Sequence, residues 1–221
     1  MFLKNSILRR LYSIIFLVYF PVFCFALDIT DTILTNQSSD CINYINSYTS
    51  NINDLQNADS YNMSLIIQDN FDGFCKITSN GIPNHDFNGT GNFATPIASN
   101  QREFLIQRNP QIEMSITNLA QNYWDAVMLN GVVLDLLSAG CYNPTAQNTD
   151  SSGNTAIGCN INDDWLLDPL GSEYTFGADE HNAHTQPDGT YHYHGDPVAL
   201  WRNDNFTPIN VPSPVIGFAA D

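Results

Sequence analysis

Ala126-Val127-Met128-Leu129-Asn130-Gly131-Val132-Val133-Leu134-Asp135-Leu136 is the segment whose reading decides the fold. Two apolar runs flank Asn130-Gly131, a pair that accepts the positive φ angles of a type I′ turn. The segment therefore predicts a β-hairpin, Ala126–Leu129 against Val132–Leu136. Strand signals recur on both sides of it, at Ser64–Gln68, Cys75–Ser79 and Glu103–Gln107, the last ending before Pro110. Further along come Thr190–His194, after an Asp188-Gly189 turn, and Val215–Phe218. Asn80-Gly81 interrupts the second strand, and Ile82-Pro83-Asn84-His85-Asp86 reads as an ordered loop. Residues 142–164 are polar and contain glycine, which predicts a long loop or insertion, and Trp165–Leu170 is an apolar patch. One stretch points the other way. Ile42, Ile45, Thr49, Ile52 and Leu55 have a roughly helical spacing, although on a background of poor helix formers. The expectation is a mainly β protein: a single β-rich domain with long loops and a short N-terminal helical segment.

The chain has 221 residues and a formal charge of −16. Lys4, Arg9 and Arg10 precede an apolar run from Leu11 to Phe25, and Cys24-Phe25-Ala26 offers a small-residue cleavage site. That is the layout of a secretory signal peptide over residues 1–26. The run contains Pro21 and is shorter than the roughly 20 residues a spanning helix needs. No later segment is long and apolar enough to span a bilayer, so the expected location is secreted, periplasmic or at the cell surface. Cleavage after Ala26 takes three of the seven basic residues and none of the 23 acidic ones, so the formal charge becomes 4 − 23 = −19. Such a surface repels phosphate backbones and argues against nucleic-acid binding, while it favours cations.

Four cysteines remain beyond residue 26: Cys41, Cys75, Cys141 and Cys159. An even count in an exported chain reads as two disulfides, with three possible connectivities. Pairing of sequence neighbours, Cys41–Cys75 and Cys141–Cys159, is favoured. Asn-x-Ser/Thr sites at Asn36, Asn62, Asn88 and Asn205 matter only if a eukaryotic secretory pathway makes the protein.

The chemistry is concentrated in histidine. Of His85, His181, His184, His192 and His194, four fall in Glu180-His181-Asn182-Ala183-His184-Thr185-Gln186-Pro187-Asp188-Gly189-Thr190-Tyr191-His192-Tyr193-His194-Gly195. On a strand, residues i and i+2 share a face roughly 6.5–7 Å apart. His192 and His194 can thus aim at one ion, with Tyr191 and Tyr193 on the opposite face. The Pro187-Asp188-Gly189 turn folds His184 back towards them, His181 less directly, and the Ile82–Asp86 loop supplies His85. All five are candidate metal ligands. A hydrogen-bonded structural network and a metal-free catalytic histidine remain open as other readings of the cluster. Imidazole and carboxylate donors without thiolate select Zn, Cu, Ni, Mn or Fe as divalent ions. Asp86, Asp179, Glu180, Asp188 and Asp196 lie beside the histidines as further ligands or as acceptors fixing a tautomer. Calcium has weaker support: Asp69–Gly73 and Asp150–Asn154 offer oxygens on turns but lack EF-hand spacing.

Asp188-Gly189-Thr190-Tyr191-His192-Tyr193-His194-Gly195 resembles the signature of the YHYH protein family. Three other segments resemble it in order: Ser79–Asp86, Leu129-Asn130-Gly131-Val132, and Ala183-His184-Thr185-Gln186-Pro187. The resemblance runs from about Lys76 to Asp221. It divides the exported chain into an N-terminal extension with a first strand, 27–75, and a YHYH domain, 76–221. It implies a bacterial secreted or envelope protein and no defined activity. Val133-Leu134-Asp135 lacks the proline expected after the turn, and residues 142–160 look like an added cysteine-bracketed loop. Family members continue past the segment corresponding to Gly217–Asp221, which reads here as a C-terminal truncation. Two functions fit these residues: a binding or structural module using a His-bound ion is favoured, and a metal-dependent hydrolase or oxidase at the same cluster is the alternative. The leader reading has a direct check: N-terminal sequencing of exported protein should begin at Leu27, and a start at Met1 would overturn it.

Overall fold

The computed structural model describes residues 25–111, 114–159, 165–171, 176–202 and 212–219. Most of the leader segment, the Asn205 glycosylation site and the last two residues lie outside the described residues. Among those described, no helix is long and apolar enough to cross a membrane.

Two five-stranded sheets carry the fold, and a two-stranded hairpin is attached to them. The first sheet has the order β1-β2-β3-β4-β5, formed by Leu27–Asp28, Asn46–Asn53, Ser60–Asp69, Phe74–Ser79 and Arg102–Gln107. It is a meander in which β2 to β5 pair antiparallel and β1 adds parallel to β2. In β3 the alternation is clean: Met63, Leu65 and Ile67 are buried, while Asn62, Ser64 and Ile66 are exposed. The second sheet contains Ala126–Met128 (β6), Val133–Leu134 (β7), Ala183–Thr185 (β10), Tyr191–Tyr193 (β11) and Gly217–Ala219 (β12), in the order β10-β11-β7-β6-β12. Buried residues from both sheets, among them Ile52, Leu65, Ile77, Val127, Tyr191 and Tyr193, form one hydrophobic cluster. The small hairpin, Cys141–Tyr142 (β8) with Asn154–Thr155 (β9), lies in the segment expected to be a long loop.

The N-terminal helix expected over residues 42–55 is not there. Cys41–Tyr44 forms one short 3-10 turn, capped by the Asp40 carboxylate, and Asn46–Asn53 is a strand. Ile45 and Leu55, two positions of the supposed helical stripe, are exposed. From Asn46 on, the buried positions are Ser50, Ile52 and Asp54, which have the period of a strand. A run of Asn, Ser and Thr favours neither helix nor its own packing, so the long antiparallel pairing with β3 decides it.

The Asn130-Gly131 hairpin forms, but with a different turn. Met128 O accepts from Gly131 N (2.8 Å) and Met128 N donates to Val132 O (2.8 Å). Of Asn130 and Gly131, only Gly131 has positive φ, at 82°. This is a three-residue loop closed by a glycine bulge rather than a type I′ turn. The loop joining β10 to β11 repeats it. Gly189 N donates to Gln186 O, Gln186 N donates to Thr190 O, and Gly189 has φ 81°. The final strand, Gly217–Ala219, finds a partner in β6.

The two disulfides pair sequence neighbours as expected, Cys41–Cys75 and Cys141–Cys159. The first joins the 3-10 turn to β4. The second closes the small hairpin.

Gly131 permits a sharp test of the hairpin. A Cβ there would lie 2.3 Å from Ser79 Oγ, whereas at Gly73, with a similar φ of +83°, it would meet nothing within 4 Å. Gly73→Ala should therefore cost about 1 kcal/mol, the backbone strain alone, and Gly131→Ala about 2 kcal/mol or more. Urea unfolding midpoints of the two variants check this; equal losses would show that the Ser79 contact yields without cost.

Candidate metal centre

Strand β11 is short, but both its edges are paired. Antiparallel pairing with β10 sets His184 opposite His192, and parallel pairing with β7 sets Val133 beside His192. Residues opposite one another across a sheet share a face. His184, His192 and, two residues on, His194 therefore project together. Their rings are 4.6–4.7 Å apart between centroids. His194 Nε2 lies 2.9 Å from His184 Nε2 and 3.0 Å from His192 Nε2. Tyr191 and Tyr193 take the other face, fully buried in the core.

The tetrapeptide that builds this arrangement lies inside a region matched by a family model described as YHYH protein, over residues 103–221. The chain belongs to the YHYH protein family. No curated protein and no solved structure matches it.

The hydrogen bonds of the YHYH histidines fix their tautomers. His184 Nδ1 lies 2.5 Å from Phe176 O, His192 Nδ1 3.1 Å from Thr190 O, and His194 Nδ1 2.6 Å from Asp135 O. A carbonyl only accepts, so each Nδ1 carries the proton and each neutral ring keeps its lone pair at Nε2. Three lone pairs then converge. A proton shared between two rings would relieve the repulsion, but burial opposes it. Burial pulls His194 down to about 4, with the neighbouring His184 adding to the effect. His192 is held well below the usual imidazole range by burial and then by His194 and His184, and burial lowers His184 too. This set of nitrogens, all within 4.8 Å of one another, could hold a metal ion. The carbonyl-bound Nδ1 atoms are the usual support of a ligating imidazole.

The structure does not bring His85 or His181 to the triad. They lie on the tyrosine face, with their rings 4.2 Å apart. His85 Nδ1 donates to Asp86 O, and its Nε2 accepts the Tyr193 hydroxyl at 2.7 Å. Tyr193 Oη also accepts from Asn130 Nδ2 (3.0 Å), which ties the Asn-Gly hairpin to the same network. Burial holds His85 down to about 3. Next to it, Asp179 accepts from the Tyr191 hydroxyl and from the amides of Asn88, His181 and Ala183. Of the other acidic neighbours, Glu180 binds Thr90 and the Gly89 amide, and Asp196 binds Trp201 and Arg202. The five-histidine cluster of the sequence is thus two groups on opposite faces of one strand.

A cleft of about 290 Å³ opens on the triad. Its far wall comes from the disulfide-closed hairpin, through Ala156, Ile157 and Cys159. It also contains a residue that the sequence did not single out, Asp135. Two residues beyond Val133, Asp135 falls on the histidine face, and its side chain is buried with one donor, Leu137 N at 3.0 Å. Burial pushes this carboxyl up to about 6, with Asp125 adding to the shift. The available signal was a lone carboxylate inside the apolar run Val132–Leu137.

These shifts set the pH dependence of the metal-free fold. Neutral burial of His85, His184, His192 and His194 means that the unfolded chain binds more protons below the ordinary imidazole value near 6.5. Their contribution is complete above about pH 6.5 and is lost as pH falls towards the folded values, each at about 1.4 kcal/mol per pH unit. Asp135 works in the opposite sense, its raised value favouring the folded state below about pH 6. Burial raises Asp179 in the same sense, and four histidines outweigh the two carboxyls. Urea midpoints in chelator should therefore drop steeply between pH 7 and pH 5, and His192→Ala with His194→Ala should flatten that slope. A slope unchanged by the double substitution would contradict the buried neutral rings.

Proposed function

We propose that this YHYH protein is an exported metal protein in which Nε2 of His184, His192 and His194 binds one divalent transition-metal ion, with a fourth position open to the cleft. The observation that carries this reading is the convergence of three unprotonated nitrogens whose other ring nitrogens are all spent on carbonyls. Lone pairs about 3 Å apart repel unless a cation lies between them. Zinc ligated at about 2.0–2.1 Å in a tetrahedron spaces its nitrogens by about 3.3 Å, a small outward movement of these rings. The four cysteines of the described residues are tied in disulfides, so the donor set is imidazole alone, which suits Zn, Cu, Ni, Mn or Fe. Export is supported by the leader-like residues 1–26 and by the two disulfides.

Sequence reasoning leaned towards a closed binding or structural site. The cleft supports the other reading. Three protein ligands beside an accessible cavity are the pattern of a centre that takes a ligand, whereas a structural site closes its fourth position with the protein. We therefore read the site as that of a metal-dependent hydrolase.

Calorimetric titration of chelator-treated protein with Zn²⁺ tests the ligand set. One ion per chain is expected, with affinity lost by about a hundredfold or more in His192→Ala with His194→Ala. His85→Ala with His181→Ala should leave the stoichiometry at one. Unchanged binding in the first variant, with the fold intact, would overturn the reading.

A further inference from the structure

We propose that the cleft takes a small uncharged carboxamide, with Asp135 accepting its N–H and disfavouring carboxylates. The inference rests on the metal reading above: the amide oxygen would face the open side of the triad and its N–H the Asp135 carboxylate.

The lining carries the argument. Among the described residues, Asp135 is the one acidic side chain in the lining, beside three neutral histidines, and no Lys or Arg borders the cleft. Asp135 makes no ion pair among the described residues, and the Leu137 amide is its single side-chain partner. The cation felt at His192, Arg102, lies outside the cleft, stacked 4.9 Å over Trp124 and bonded to Thr190 Oγ1. Most donors of the lining are already used. The Thr185 hydroxyl donates to Thr95 O, and the Ser138 hydroxyl to Leu167 O at 2.8 Å. Gln121 Nε2 donates to Ser138 O at 2.6 Å, which leaves this amide its acceptor oxygen. Among the described residues, Gln186 is the lining side chain whose N–H groups make no hydrogen bond. The cleft therefore offers chiefly acceptors, Asp135 and Gln121, beside a site for a cation.

Such a lining suits a ligand with a lone pair at one end and N–H groups at the other. A carboxylate of the same shape has lone pairs for the ion but no donor for Asp135, whose charge at short range in a buried setting offsets part of the ion's attraction for it. At about 290 Å³ the cavity holds only a small group. The chain's formal charge of −16 disfavours anions at longer range as well.

Acetate and acetamide are near-isosteres and isolate the charge. The Co²⁺-loaded protein is titrated with each at pH 8, and the visible spectrum of the ion is followed. Acetamide should perturb the wild-type spectrum. In Asp135→Asn, which keeps an oxygen for the Leu137 amide, acetate should bind about tenfold or more tighter and acetamide more weakly. If that variant does not fold, Gln121→Lys is the second arm, and its added cation should likewise tighten acetate about tenfold. Acetate bound equally by the wild type and the folded variant would overturn the ligand assignment and leave the metal site standing. A wild type that takes up no Co²⁺ would overturn the metal reading, and the ligand assignment with it.

Discussion

Everything at the candidate site depends on the register of β11. Three residues, Tyr191 to Tyr193, are fixed from both edges, by antiparallel pairing to β10 and parallel pairing to β7. A slip of one residue would exchange the faces, placing tyrosines in the cleft and imidazoles in the core. The anchoring is correspondingly heavy. Tyr193 is held by His85 and Asn130, and Tyr191 by Asp179, so each tyrosine carries its polar end to a buried partner. His85 therefore serves the strand from behind.

The same constraint explains why so many titratable groups are buried. Neutral imidazoles are cheaper to bury than charged ones, and His85, His184, His192 and His194 each satisfy one nitrogen with a backbone carbonyl. Asp135 contributes twice: its carbonyl orients His194 and its carboxyl faces the cleft. Backbone geometry and side-chain chemistry of the centre are thus linked through β7.

Much of this was legible in the residues, and the exceptions have identifiable causes. The alternation Tyr-His-Tyr-His and the Pro-Asp-Gly turn sufficed to place His184, His192 and His194 together, because strand period and loop length are local properties. Four short segments in order sufficed for the family. The helical reading of residues 42–55 failed because three- and four-residue spacings of Ile and Leu also arise by chance along a strand, and only burial shows that Ile45 and Leu55 were not part of a stripe. His85 and His181 could not be assigned to a face, since that depends on how the loop after β4 meets the second sheet. Asn130-Gly131 marked the hairpin correctly. The bulged turn arises because Asn130 is drawn inward by Tyr193, a contact between residues 63 apart in sequence.

The hairpin closed by Cys141–Cys159 leaves the second sheet after β7 and returns beside the triad as a wall of the cleft. None of its residues supplies a ligating nitrogen or a strand to the second sheet. Coordination and the far wall of the cleft are therefore encoded in separate stretches of chain. A loop of different length or composition, grafted between the same two cysteines, would reshape what enters without disturbing what binds it. In this protein the part that positions the histidines and the part that shapes the space before them can vary independently, one set by a sheet and the other by a covalently sealed appendage.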